Sequence, residues 1–242
     1  MPQVLTQKKL LSNHDVGLFG DSYACYSLDF CSGWFQNPLI LSNYNLYSYA
    51  EAGSDITWSY KLFLKHHSKY TKNIFIVTES TRHSFTLEPY TVFVSNIDTI
   101  DHIKKNLNDS RIDKILDALY QHYVHTLSTD LYDFGLAGMV ENIKRIRPDT
   151  IIIYAFYNHS IEKITGNEFY LSQVSLMELD AFKIDFNFMK KNGLIDKRSA
   201  HMTVENNQIF AQYIRERLDG NNATISLNDF IVPKTLDKQK YF

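Results

Sequence analysis

Four short apolar runs, at residues 16–19, 45–49, 74–78 and 150–156, are separated by stretches whose apolar residues recur at helical spacing. Runs this short and this apolar read as strands buried on both faces, the habit of a parallel sheet. The plainest is Thr150-Ile151-Ile152-Ile153-Tyr154-Ala155-Phe156, where β-branched residues dominate. A fifth run, at 169–176, alternates its apolar residues with Ser and Gln. Between them lie helical stripes: Ile56, Tyr60 and Phe63; Ile100, Ile103 and Leu107; Ile112, Ile115, Leu116 and Leu119; and Met139, Ile143 and Ile146, closed by Pro148. Leu179, Phe182, Phe186 and Met189 form another, stopped at Lys190, Lys191 and Gly193. Ile209, Phe210, Tyr213, Ile214 and Leu218 form the last, after a Thr203 cap. Strands alternating with helices predict an α/β fold with a doubly wound, mostly parallel sheet and right-handed crossovers. Residues 83–147 exceed one crossover helix and predict a helical insertion beside the carboxyl edge. The expected organisation is one domain over 1–220 and a polar tail, 221–242, anchored by Ile225 and residues 230–232.

Composition removes several function classes. The chain has 242 residues, enough for one large α/β domain. A formal charge of −2 gives no electrostatic case for nucleic acid or an anionic membrane. No apolar run has the length needed to cross a bilayer. Lys8 and Lys9 are followed only by Leu10 and Leu11, too little apolar length for a secretory signal, so a cytoplasmic protein is expected. Cys25 and Cys31 read as reduced thiols packed near the first helix. His66-His67, His122 and His125 show no ligand spacing and read as solvated helix residues, so no metal site is expected. The 16 Tyr and 16 Phe serve mostly the core, with some able to stack on sugars.

The chemistry-bearing residues converge on the ends of the strands. In Val16-Gly17-Leu18-Phe19-Gly20-Asp21-Ser22-Tyr23 an apolar strand stops at a glycine, and an acid and a serine follow. Gly53 follows the second strand, Thr78-Glu79-Ser80-Thr81-Arg82 the third, and Asn158 the fourth. Ligands bind at that carboxyl edge in open α/β sheets. Ser22 fits a helix cap or a nucleophile, and a nucleophile needs a base and oxyanion donors. His201, in the loop before the last helix pattern, is the best base, with Asp196 upstream of it. Asp21 fits the bonding of turn amides. Arg82 fits either a salt bridge or an anionic substrate group.

Gly20-Asp21-Ser22, Tyr49-Ala50-Glu51-Ala52-Gly53-Ser54-Asp55-Ile56 and His201-Met202-Thr203-Val204-Glu205-Asn206-Asn207 together resemble the SGNH/GDSL hydrolases. The resemblance runs from about 15 to 218 and covers three of the family's four segments in order. It implies a three-layer α/β/α fold with a five-stranded sheet in flavodoxin-like order. It implies Ser22 as nucleophile, His201 as base and Asp196 as the acid that orients it. The family places that acid three residues before the His, where this chain has Arg198; Asp196 stands five before. The amides of Ser22 and Gly53 would hold the oxyanion. The family's third donor is an Asn, and with none between 74 and 83 the candidates are Thr78, Ser80 and Arg82. The activity implied is that of a serine esterase removing O-acyl groups, acetyl above all, from a carbohydrate or similar small ester. No cofactor is implied. The alternative is an SGNH-fold glycan-binding or structural module with impaired catalysis.

Overall fold

The computed structural model describes residues 3–4, 14–21, 23–25, 34–78, 82–88, 90–94, 97–106, 109–125, 129–155, 204–223 and 229–230. Among them, five strands form one sheet in the order β1-β3-β2-β4-β7. These are β1 (Gln3–Val4), β2 (His14–Phe19), β3 (Tyr44–Ser48), β4 (Lys72–Val77) and β7 (Ile151–Tyr154). The four longer strands run parallel, and β1 pairs antiparallel with β3 at the edge. The expected strands at 16–19, 45–49, 74–78 and 150–156 coincide with β2, β3, β4 and β7. The expected strand at 169–176, the 179–189 helix and the Thr203 cap lie outside the described residues.

Alternation along the strands sends side chains to two separate cores. Val16, Leu18, Leu46, Ile74, Ile76, Ile151 and Ile153 pack on one face against Trp34, Phe35, Ile40, Phe210, Ile214 and Leu218. These partners come from a 3₁₀ turn (Trp34–Gln36), α1 (Pro38–Leu41) and α6 (Val204–Leu218). Phe19, Phe75, Val77, Ile152 and Tyr154 pack on the opposite face against α2 (Ile56–His66) and α5 (Thr129–Ile146), through Phe63, Leu136, Val140 and Ile143. Phe230, from the segment read as a tail, is buried in the first of these cores.

Residues 83–147 differ from the all-helical expectation. They open with an antiparallel hairpin, β5 (His83–Leu87) and β6 (Tyr90–Val94), before α3 (Ile97–Asn106) and α4 (Ser110–His125). Val92 and Val94 join Ile100, Ile112 and Leu116 in a small third core. Helix α5 lies instead on the main sheet, as the crossover between β4 and β7. A two-residue turn cannot join parallel neighbours, so the connection from β4 to β7 needs a crossover, which α5 supplies. No helix of the described residues is long and apolar enough to cross a membrane.

Candidate functional site at the carboxyl edge of the sheet

The carboxyl ends of the parallel strands carry the polar residues. Strand β2 lies between β3 and β4. Its connection to β3 passes α1 on one face, and that from β3 to β4 passes α2 on the other. The crevice where connections diverge in this way is the usual ligand site of an open α/β sheet. Gly20 closes β2 there because no side chain fits: a Cβ would stand 2.7 Å from Ile76 Cβ. Its carbonyl accepts from the Glu51 amide at 3.3 Å and from Ser54 Oγ at 3.1 Å, which ties the loop after β3 to the end of β2.

Asp21 is completely buried. Its Oδ1 accepts from the Tyr23 amide at 3.1 Å, the local turn bond expected of an Asp in this position. Its Oδ2 accepts from Arg82 Nη1 at 3.2 Å, with the Arg82 side chain 11% exposed. A buried carboxylate is tolerated when it is paired and hydrogen-bonded, and Asp21 meets both conditions. Of the two roles open to Arg82, the structure therefore supports the ion pair. The pair also fixes the first residue of the hairpin segment onto the turn that ends β2.

The residues after Asp21 are held from three directions. The Tyr23 carbonyl accepts from Trp34 Nε1 at 3.0 Å, and the Trp34 amide donates to Asn207 Oδ1 at 2.9 Å. Ser48 Oγ, at the end of β3, donates to the Ala24 carbonyl at 2.9 Å. Asn207 lies in the first turn of α6, so Trp34 bridges the turn after β2 to the helix that follows position 201. The next loop carries Gly53 at φ +77, a left-handed conformation that favours glycine. Asp55, two residues on, caps α2 by accepting from the Trp58 amide at 2.6 Å. Thr78, just past β4, is buried, and its Oγ1 has no hydrogen-bond partner among the described residues. Ser22, Ser80, Asn158, Asp196 and His201 lie outside the described residues.

A second polar cluster, unread in the sequence, stands where the hairpin meets α4 and α5. The His83 ring lies edge-on to His122, Tyr123 and Tyr132, with centroids 5.3–5.7 Å apart. His122 Nε2 and Tyr132 Oη are 2.6 Å apart, and His83 Nε2 is buried without a partner among the described residues. Burial, then the neighbouring His122, hold the His83 pKa below its ordinary value, with Asp55 pulling the other way. His122 is thus packed and not a solvated helix residue. His66 and His67 are packed too, stacked on Tyr49 and Phe63. No group of three or more His, Cys, Asp or Glu among the described residues is arranged to hold a metal ion.

The chain matches no protein-family profile, no curated protein and no solved structure.

Proposed function

We propose that the protein is a serine esterase of the SGNH type, acting on an O-acyl group of a carbohydrate or similar small ester. The observation that carries this reading is the Gly20-Asp21 turn. It ends the strand between β3 and β4, at the crevice where the connections diverge, and Ser22 is the next residue in the chain. Three further observations support it. Gly53 follows β3 in a left-handed turn. The Trp34 bridge joins Tyr23, next to Ser22, to Asn207, six residues beyond His201. The four parallel strands in the order β3-β2-β4-β7, with helices against both faces, are compatible with the doubly wound three-layer plan expected of a hydrolase of this type.

In the reaction Ser22 Oγ attacks the acyl carbon while His201 removes its proton, and His201 then protonates the leaving alcohol. Asp196 orients His201 and stabilises its charged form. Water repeats the sequence on the acyl-enzyme. The amides of Ser22 and Gly53 and one side chain of the 78–82 run hold the oxyanion. No metal or cofactor takes part.

The full chain treated with a fluorophosphonate probe is expected to label at Ser22 and to hydrolyse a short-chain aryl ester. Ser22→Ala and His201→Ala are each expected to abolish both. A folded wild-type protein that neither labels nor turns over sinks the reading. It would favour the glycan-binding alternative, which one observation supports: Arg82, a candidate donor of the third segment, is held in an ion pair with Asp21.

A further inference from the structure

We infer that Thr78, and not Arg82, supplies the side-chain hydrogen bond to the oxyanion in this chain. The inference rests on the esterase reading and deepens it. Thr78 follows directly on β4, and the Val77 carbonyl before it is fixed by the Ala155 amide at 2.9 Å. In the ladder between β2 and β4, Phe19 stands opposite Phe75. Gly20 and Ile76 are the next residues after that pair. Gly20 is pressed against Ile76 at the same point, so the two strand ends remain in close approach beyond the last ladder pair.

The Thr78 hydroxyl also has an unmet requirement. The side chain is 2% exposed, and Oγ1 has no partner among the described residues. A buried hydroxyl left unpaired has lost its hydrogen bonds to water with nothing to offset them. Native folds satisfy such groups or keep them for a purpose. The unpaired Thr150 hydroxyl, by contrast, precedes β7 at the amino edge, away from the strand ends that carry Asp21 and Gly53. Arg82 has its partner in Asp21.

The step balances without another reactant. Ser22 Oγ forms a bond to the acyl carbon, and the carbonyl π pair moves onto oxygen. The Thr78 O–H donates to that oxygen while keeping its own proton. Collapse returns the pair, breaks the acyl–alkoxy bond and sends the proton held by His201 to the leaving alcohol. A donor fixed in a dry position acts most strongly where charge develops, so its effect belongs to the chemical step.

The test uses the full chain and p-nitrophenyl acetate. Thr78→Val keeps the shape and removes the donor; kcat is expected to fall about 100- to 1,000-fold with KM nearly unchanged. Thr78→Ser is expected to recover most of that rate. Because no bond in the folded protein is lost, Thr78→Val should melt no lower than wild type, which a merely structural threonine would not do. Thr78→Ala replaces it in the comparison where Val is not accommodated. A kcat for the hydroxyl-free variant within about threefold of an active wild type overturns the assignment and leaves the esterase reading standing. A wild type that neither labels nor turns over overturns both.

Discussion

Arg82 sits 61 positions from Asp21 in sequence and 3.2 Å from it in space. Neither residue announces the other. That an acid after Gly20 should bond a turn amide was legible, because the geometry is local; that its second oxygen should need a cation was not, because the burial that demands it is a property of the assembled sheet. Removing the cation leaves an unpaired buried carboxylate, which costs about 3–5 kcal/mol. Arg82→Ala is therefore expected to lower the free energy of unfolding by that order, measured in denaturant. Adding Asp21→Asn, which removes the stranded charge, should recover part of the loss, so the double variant is expected to lose less than the two single losses added together. Strict additivity would mean that the pair contributes nothing as a pair. Thr78 shows the same limit from the other side: its place after a strand was plain, and its lack of a partner became visible only with its neighbours in position.

The hairpin is the element that the helical reading of 83–147 missed. Its signal was present in Val92 and Val94, alternate residues of β6 that turn into the third core. The Glu88-Pro89 connection, however, carries no Asn-Gly or Gly-rich turn signature. A two-stranded ribbon is marginal alone and owes its persistence to packing, here Phe93 on Trp58 at 6.0 Å and His83 among His122, Tyr123 and Tyr132. That imidazole cluster makes the junction sensitive to acid. The folded protein holds the His83 pKa below the 6.5 of a free imidazole, chiefly through burial. The unfolded chain therefore takes up a proton first as pH falls, and stability drops below about pH 6.5. His66 and His67 are lowered as well, both chiefly by burial, and add to the loss with the same sign. The melting temperature is expected to be level between about pH 7 and 8 and to decline from pH 6.5 to 5. His83→Phe should flatten that decline, and an unchanged slope would place its origin elsewhere.

Over the whole molecule, the layered plan was legible and its edges were not. Buried parallel strands stand out as apolar runs because both of their faces are covered, and the helices between them show their apolar stripes for the same reason. Strand β1 has two residues and no periodicity to read. Helix α5 was legible as a helix, but its place on the main sheet follows from the distance between β4 and β7. Least legible was the long-range closure by Trp34, which joins a residue of the first quarter of the chain to α6. The bond from Trp34 to Asn207 spans 173 residues. Contacts of such separation carry a large loop-closure cost and form late on the way to the native state. Interactions absent from the folding transition state act as brakes on unfolding. Asn207→Ala is thus expected to speed unfolding several-fold while leaving the refolding rate nearly unchanged. A slower refolding limb in stopped-flow would show that the closure forms early. Trp34 is 1% exposed and is one of only two tryptophans in the chain, so its own fluorescence can record the event. The lifetime of the folded protein is then set in part by a single asparagine far along the chain from the strand it secures.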